Sequence, residues 1–282
     1  MIKEKIFTYG EHQHGIGVVS EPDDTSTSPV VVLLNAGLSH RAEPYRLNVL
    51  LARRLAALGY IALRVDLSGK GDSPTRESMS NRESVSLDWT YMKQSLEILY
   101  GPRTVLMFGL CSGADNGIKL CAQDPDIKGL ILLDPVSRQD PGFARRDLLR
   151  KLTNLSKWQN IHKILLRRFK QSTNKESSLL DSPMDLRDEP NDEDMDQCLS
   201  GIVKKDGRVL ALFTSQTLYH YNKCGQFASA MGIDGLTPVT EEFFWPNAKH
   251  IYPVEMHRNR LIETVADWAD RHIQHFKSMK PE

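Results

Sequence analysis

The sequence predicts an α/β fold with a mostly parallel central sheet, and three features of its 282 residues support this class. Strand-like and helix-like segments alternate along the chain, which is typical of consecutive βαβ units. Some strand-like segments are continuous apolar runs, such as 30–34 (VVVLL), as expected of strands buried on both faces of a sheet. A glycine-flanked cysteine at 109–113 (GLCSG) falls between a strand and the following helix, where such folds make a sharp turn.

The individual elements follow from apolar periodicity, taken from the N-terminus. Residues 3–21 are expected to add one or two edge strands, and 21–29 is expected to be a polar loop. The remaining predicted strands are 30–34, 60–65, 104–108, 129–133, 208–214 and 239–245. The predicted helices cover 47–58, 83–100, 112–122 and a C-terminal stretch around 261–269, and the segment after Asn222 is a further helix candidate.

One long stretch, 136–207, interrupts the alternation because it contains no strand-like segment. A structureless loop of this length is unusual inside a compact domain, so the stretch is predicted to form a helical lid or cap insertion. Its first half is basic and its second half acidic, and we interpret both as solvated surface. The predicted α/β core then comprises residues 1–135 and 208–282.

The composition excludes several classes of protein. The chain has 36 Lys plus Arg and 36 Asp plus Glu, so it lacks the basic excess of a nucleic-acid-binding protein. Its apolar runs are too short for a membrane-spanning helix, and the first residues lack the apolar region of a secretion signal. The four cysteines are scattered and form no CxxC pair, so we expect no metal site, no disulfide framework and a cytoplasmic location.

The strongest chemical signal is the turn at 109–113, which has the G-x-nucleophile-x-G pattern with Cys111 at the nucleophile position. A register with Ser112 as the nucleophile would place Leu110 where a small residue is needed, so Cys111 is favoured. The turn also places Cys111 at a helix N-terminus, where negative charge on a thiolate is stabilised. The backbone amide of Ser112 is the expected first donor of an oxyanion hole.

The loop at 35–41 (NAGLSHR) follows the first core strand and is expected to supply the second oxyanion donor. That donor is the backbone amide of either Ala36 or Gly37. His40 and Arg41 are candidates for substrate binding, with pinning of the loop as the alternative.

The general base is expected to be a histidine after the last strand, and two residues qualify. His250 lies on the loop that follows the strand ending near Trp245, whereas His257 lies at the start of the final helix. We favour His250, since a loop position at the end of a strand suits a base that must reach the nucleophile.

The residue that orients this histidine is not fixed by the sequence. The segment 214–222, where a carboxylate is usual, contains neither Asp nor Glu. The substitutes are Asn222 and Asp134, the latter at the end of the preceding core strand. A helix cap at Asn222 and a strand-ending turn at Asp134 are the structural alternatives.

The order of elements and three motifs, 35–41 (NAGLSHR), 64–73 (RVDLSGKGDS) and 109–115 (GLCSGAD), resemble the α/β-hydrolase superfamily. Within it they are most similar to a bacterial, serine-aminopeptidase-like (S33-type) branch. The resemblance implies that His250 is the base and that 136–207 is the lid. Relatives with a cysteine at the turn, the dienelactone hydrolases and polyhydroxyalkanoate synthases, imply an activated acyl substrate.

The expected function is therefore hydrolysis of an ester or thioester through a Cys111 acyl-enzyme, with no metal or organic cofactor. The substrate is expected to be a small acyl compound, either free or carried on CoA or a carrier protein. Two alternatives stay open: acyl transfer or cyclisation through the same intermediate, and a non-catalytic binding protein with the same fold.

Overall fold

The computed structural model of the chain describes residues 2–153 and 187–281. Within these residues, eight strands form one sheet in the order β1-β2-β4-β3-β5-β6-β7-β8. The strands are β1 (Lys3–Tyr9), β2 (Gly15–Glu21), β3 (Val30–Leu34), β4 (Ile61–Asp66), β5 (Val105–Leu110), β6 (Ile127–Leu133), β7 (Arg208–Thr214) and β8 (Thr240–Trp245). Strands β3 to β8 are parallel to one another, and β2 runs antiparallel to both of its neighbours.

The described residues contain eight α-helices on the two faces of the sheet. They are α1 (Leu47–Ala57), α2 (Asn81–Tyr100), α3 (Ser112–Gln123), α4 (Phe143–Thr153), α5 (Asp192–Lys204), α6 (Gln226–Met231), α7 (Leu236–Val239) and α8 (Glu255–Ser278). Capping boxes start two of them: Ser80 and Glu83 exchange hydrogen bonds at α2, and Asn191 and Asp194 do so at α5. None of these helices is long and apolar enough to cross a membrane.

The core lies in two layers, one on each face of the sheet. Helices α1 and α8 cover one face with side chains such as Leu51 and Trp268. Helices α2, α3 and α5 cover the other face with side chains such as Trp89, Ile118 and Leu199. Strands β3, β5 and β6 are buried along their whole length, which explains why β3 and β5 are continuous apolar runs and why β6 is apolar apart from Lys128.

The predicted fold class is confirmed, with a mostly parallel sheet flanked by helices and an antiparallel edge from β1 and β2. The helix candidate after Asn222 begins only at Gln226, because Gly225 adopts a left-handed conformation (φ 83°) before it. Within the predicted lid 136–207, residues 154–186 lie outside the described part of the chain. Helix α5, from the end of that stretch, packs on α3 in the core layer.

The sheet topology decides where functional side chains gather. The carboxyl ends of parallel strands lie along one edge, so the segments following β3, β5, β6, β7 and β8 come together there. Strands β6 and β7 are direct neighbours, with Leu133 opposite Leu212 near their ends. Residues that follow these two strands therefore come close together although about 80 positions separate them in sequence.

Candidate active site

Cys111 occupies a strained turn between β5 and α3. The strand ends at Leu110 and the helix starts at Ser112, so a single residue makes the connection. Its backbone has φ 53° and ψ −120°, which is uncommon for a residue with a side chain and is typical of functional positions. The turn is held by the Cys111 amide, which donates to the Leu133 carbonyl oxygen at 2.8 Å.

The glycines on either side of Cys111 are required by packing. A Cβ atom at Gly109 would lie 2.2 Å from the carbonyl carbon of Gly113, which is too close for any side chain. A Cβ at Gly113 would lie 3.1 Å from the carbonyl oxygen of Leu34 on the neighbouring strand. The strand and helix can therefore approach closely enough for the tight turn only because both positions lack a side chain.

His250 lies on the loop between β8 and α8 and meets Asp134 there. Its Nδ1 is 2.6 Å from Oδ2 of Asp134, and the Cys111 thiol lies close enough to interact with the same imidazole. The alternative base, His257, lies on α8 and lines a different, smaller cavity beside Trp245. The structure thus brings Cys111, His250 and Asp134 together in one place.

The charge state of His250 is set by these neighbours. Burial disfavours the imidazolium, but the hydrogen bonds and charges of Asp134 and Cys111 outweigh this effect and raise the pKa of His250 from 6.5 to about 9. The imidazole therefore holds a proton at neutral pH, as required of a group that has accepted the proton of a thiol.

Asp134, one of the two residues that the sequence offered as a partner for His250, lies in contact with it. It follows the last residue of β6, is almost fully buried (1% exposed) and has a positive φ of 48°. Thr214, at the end of the adjacent strand β7, donates to both of its oxygens, from the backbone amide to Oδ1 (2.6 Å) and from Oγ1 to Oδ2 (2.7 Å). The structure places the other candidate, Asn222, elsewhere: its Oδ1 accepts from Nε of Arg146 at 2.7 Å.

The two expected oxyanion donors on the loop after β3 differ in their partners. The Ala36 amide donates to Oε1 of buried Glu43 at 2.7 Å and is not available to a substrate. The Gly37 amide instead points across to α3 and donates to Oγ of Ser112 at 2.7 Å. The Ser112 amide belongs to the first turn of α3, where backbone amides have no partner within the helix. Gly37 and Ser112 line the cavity beside Cys111 and stay the candidate donors, whereas Ala36 does not line it and the alternative of an Ala36 donor is corrected.

His40 and Arg41 do not line the cavity beside Cys111 and are corrected as substrate-binding candidates. The Arg41 guanidinium binds the buried carboxylate of Asp66 and lies 2.7 Å from Oδ2 of Asp72. Nε2 of His40 lies 3.4 Å from the same Asp72 oxygen. His40 and Arg41 therefore hold the loop after β3 against the segment after β4. His40, Asp66 and Asp72 have the donor types of a metal site, but Arg41 already supplies the positive charge between the two carboxylates.

A cavity of about 780 Å³ opens beside Cys111 at the carboxyl edge of the sheet. The residues that line it are Gly37, Leu38, Lys70, Asn81, Cys111, Ser112, Asn116, Asp134, Arg187, Asp188, Gln216, Thr217, Tyr219 and His250. It has the size of a small-molecule site and contains the three grouped side chains in its wall.

Solved structures with the same fold support the topology described above. A dienelactone hydrolase from Anabaena variabilis is 12% identical with a TM-score of 0.55, and the match covers 98% of each chain. An esterase from Pyrococcus furiosus is 14% identical with a TM-score of 0.57, covering 96% of this chain and 92% of the esterase. A cold-adapted esterase from an Arctic intertidal metagenomic library is 16% identical with a TM-score of 0.55, covering 96% and 94%.

The chain has the α/β-hydrolase fold. Identities this low establish the fold alone, because one fold carries many activities. No protein-family model and no curated protein matches the sequence.

Within this α/β-hydrolase fold, the segment that follows the undescribed stretch is fastened to α3. Arg187 binds the buried carboxylate of Asp115 through two nitrogens, one of them at 2.9 Å, and also donates to the Asp134 carbonyl oxygen at 3.3 Å. Nζ of Lys119, one turn further along the helix, lies 2.8 Å from Oδ2 of Asp188. We refer to these two ion pairs as the α3 anchor. Through it, Arg187 and Asp188 become part of the cavity wall.

Sequence analysis did not identify the cavity residues Lys70, Arg187 and Tyr219. Lys70 lay inside the motif 64–73, which supported the family resemblance but gave no sign that the Lys70 side chain lines the cavity. Arg187 stood among many charges of the predicted lid, and only its partner Asp115, buried on the same helix as the cysteine, distinguishes it. The sequence did contain one signal for these ion pairs. Asp115 and Lys119 are opposite charges one turn apart on a buried helix, and each needs a partner of the opposite sign.

Proposed function

We propose that the protein hydrolyses an ester or thioester through a covalent acyl intermediate on Cys111. The observation that carries this proposal is the 2.6 Å contact between Asp134 and His250 beside a cysteine on a strained, glycine-flanked turn. A nucleophile, a base and a group that orients the base are the parts that such chemistry requires.

In the acylation step, the proton of the thiol rests on His250, and the sulfur attacks the carbonyl carbon of the substrate. The C–S bond forms as the carbonyl π electrons move to oxygen, and the Gly37 and Ser112 amides bind that oxyanion. The substrate oxygen replaces the Ser112 hydroxyl at the Gly37 amide, which requires only a side-chain rotation of Ser112. The C–O or C–S bond to the leaving group then breaks, and the His250 imidazolium protonates that group.

In the deacylation step, neutral His250 removes a proton from water and the resulting hydroxide attacks the thioester carbonyl. The bond to Cys111 breaks, the acid leaves, and the thiolate is paired again with the imidazolium. Asp134 keeps Nδ1 of His250 protonated, so that Nε2 is free to exchange protons with the substrate side.

Turnover of p-nitrophenyl esters and acyl-CoA thioesters tests the proposal. Cys111→Ala and His250→Ala are expected to reduce kcat/KM by roughly 1,000-fold or more. Cys224→Ala is the matched control because Cys224 is exposed and lies outside the cavity, and it is expected to retain the wild-type rate.

Two outcomes would contradict the assignment. Turnover that survives in Cys111→Ala excludes cysteine as the nucleophile, and loss of turnover in Ser112→Ala alone would move that role to Ser112. An alcohol or amine acceptor added to the same assay measures how the acyl group divides between water and the acceptor. The carrier of the acyl group and the cytoplasmic location stay predictions from the sequence.

A further inference from the structure

Lys70 is a charged residue of the cavity wall that the proposed chemistry does not use and that, unlike Arg187 and Asp188, is in no ion pair among the described residues. It lies between Gly69 and Gly71 in the segment after β4 and shares the cavity with Cys111. The Lys70 amide donates to the Leu67 carbonyl oxygen at 2.9 Å, and the Lys70 carbonyl accepts from Ser73 at 3.0 Å. Two consecutive turns therefore fix the backbone from which its side chain extends.

The buried carboxylate of Asp66 supports this segment from behind. The Asp72 amide donates to Oδ2 of Asp66 at 3.0 Å, and Gly71 has a left-handed φ of 52°. A Cβ atom at Gly71 would lie 2.3 Å from the same carboxylate oxygen, so only glycine permits this close approach. The loop is thus built around Asp66 and holds Lys70 in one place at the cavity wall.

The Lys70 ammonium has no hydrogen-bond or ion-pair partner among the described residues, which distinguishes it from the other charges of the cavity. Arg187 is paired with Asp115, and Asp188 with Lys119. Asp134 binds His250. Each of these charges is held in a close ion pair, whereas Lys70 forms none among the described residues.

A lysine ammonium without an ion pair is unfavourable at the position of Lys70 in the free protein. Its side chain is half-buried, and burial lowers the pKa of Lys70 below its usual value. A cation that has lost part of its hydration and has no partner gains most from a ligand that brings a negative charge.

Glu43, behind the loop after β3, acts on the charge of Lys70 electrostatically but forms no ion pair with it. Its Oε1 accepts from the Ala36 amide and no ion pair joins it to Lys70, while its Oε2 has no hydrogen-bond partner among the described residues. Burial raises the pKa of Glu43 to about 7, so much of this carboxyl group is uncharged at neutral pH.

We propose that Lys70 is a specificity-determining residue that binds a carboxylate on the acyl part of the substrate, selecting a half-ester or thioester of a dicarboxylic acid. This inference rests on the proposed function for its substrate class. The competing role is stabilisation of the Cys111 thiolate, since Lys70 and Cys111 share the cavity. The two roles differ in one respect: a thiolate counter-ion acts on every electrophile equally, whereas an anion-binding residue acts only on charged ones.

Alkylation of Cys111 separates these roles without requiring ester hydrolysis. Iodoacetate and iodoacetamide have the same leaving group and nearly the same size, but only iodoacetate carries a carboxylate. Both rates are measured by intact mass at pH 7 in a Cys224→Ser background, because Cys224 is the exposed cysteine among the described residues. The quantity compared between variants is the ratio of the iodoacetate rate to the iodoacetamide rate.

Lys70→Met is expected to lower this ratio by about 10-fold or more, with the iodoacetamide rate nearly unchanged. Lys70→Arg keeps the charge and is expected to retain most of the ratio. Lys249→Met is the matched control, since it removes an exposed lysine next to His250 in sequence, and it is expected to leave the ratio unchanged. Lys70→Gln is measured in parallel, so that the result does not depend on the folding of one variant.

An unchanged ratio in both Lys70→Met and Lys70→Gln overturns the proposal, and so does an equal fall of both rates. A second arm compares p-nitrophenyl hydrogen adipate with p-nitrophenyl methyl adipate, and O-acetylglycolate with O-acetylglycolamide. Lys70-dependent preference for the acid in the first pair supports binding on the acyl side, and preference only in the second pair contradicts it. Absence of turnover with all four esters would count against the proposed hydrolysis, while the alkylation ratio would still decide the role of Lys70.

Discussion

The carboxylate of Asp134 accepts three hydrogen bonds at the end of β6, two from Thr214 and one from His250. These donors stabilise a carboxylate that is almost completely removed from water. Thr214 lies at the end of β7, next to the segment in which the sequence led us to expect a carboxylate. It holds the carboxylate of Asp134, at the end of the neighbouring strand β6, by two hydrogen bonds. A carboxylate therefore lies beside His250 although the segment 214–222 contains neither Asp nor Glu.

Removal of the charge at Asp134 tests this role. Asp134→Asn is expected to reduce kcat/KM by about 100-fold or more, because an amide oxygen at this position holds the imidazole less strongly and does not stabilise its charged form. Steady-state kinetics on the best ester measures the change. Asn222→Ala is the control for the rejected candidate and is expected to retain kcat/KM within a few-fold; a loss comparable to that of Asp134→Asn would reverse the assignment.

The pH dependence of acylation follows from the raised pKa of His250, about 9. The imidazolium must protonate the leaving group, so kcat/KM for an alkyl ester is expected to fall as pH rises through about 9. Asp134→Asn removes a hydrogen bond and a charge that raise this pKa, so the alkaline limb moves to lower pH in that variant. If the alkaline limb of the pH–rate profile is the same in both proteins, Asp134 does not raise the pKa of His250.

At the scale of elements, the connection from β5 to α3 depends on two glycines that allow close packing. The strand and the helix meet at Gly109 and Gly113, and the helix then presents Ser112 to the Gly37 amide and Asp115 to Arg187. One helix therefore carries the candidate oxyanion donor and one side of the α3 anchor. A change in its position would disturb both.

Gly109→Ala is expected to destabilise the protein by about 3 kcal/mol, because its Cβ would overlap the backbone of α3 and the helix would have to shift. Gly201→Ala in the last turn of α5 is the matched control. Its Cβ meets only the flexible end of Lys205, so this change is expected to stabilise the protein by up to ~1 kcal/mol. Urea unfolding measures both; equal effects of the two changes would show that the turn is not tightly packed.

At the scale of the whole molecule, the α3 anchor joins the chain after the undescribed stretch to the helix that follows Cys111. The Asp115 side chain is fully buried, that of Arg187 is 9% exposed, and Lys119 is only 2% exposed where it meets Asp188. Loss of one partner leaves the other charge buried without compensation, which is a large penalty. The shape of the cavity wall therefore depends on charges more than 60 residues apart in sequence.

Asp115→Asn is expected to lower the free energy of unfolding by about 3 kcal/mol, because the Arg187 guanidinium stays buried without its partner. The double variant Asp115→Asn/Arg187→Met removes that unpaired charge and is expected to be less destabilised than the sum of its single changes. Chemical denaturation of the four proteins gives the coupling between the two residues. If the effects of the two single changes on the free energy of unfolding are additive, the interaction between Asp115 and Arg187 does not stabilise the protein.

The fold and part of the site could be predicted from local patterns, and the rest depends on which strands are neighbours. Alternating elements predict the parallel sheet, and the pattern at 109–113 locates Cys111 because it contains its own structural context. The choice of Asp134 over Asn222 required the adjacency of β6 and β7, which no local pattern contains. His40 and Arg41 were predicted to bind substrate, but buried Asp66, on a different strand, draws the Arg41 side chain away from the cavity.

Intact-protein mass after rapid mixing with an activated ester is the most direct test of the central claim, that Cys111 forms an acyl-enzyme with the help of His250. The account predicts a transient mass increase equal to the acyl group on wild-type protein, located on Cys111. It predicts the increase to be absent in Cys111→Ala and strongly slowed in His250→Ala. An acyl adduct that forms at the same rate in Cys111→Ala, or at the wild-type rate in His250→Ala, would contradict it.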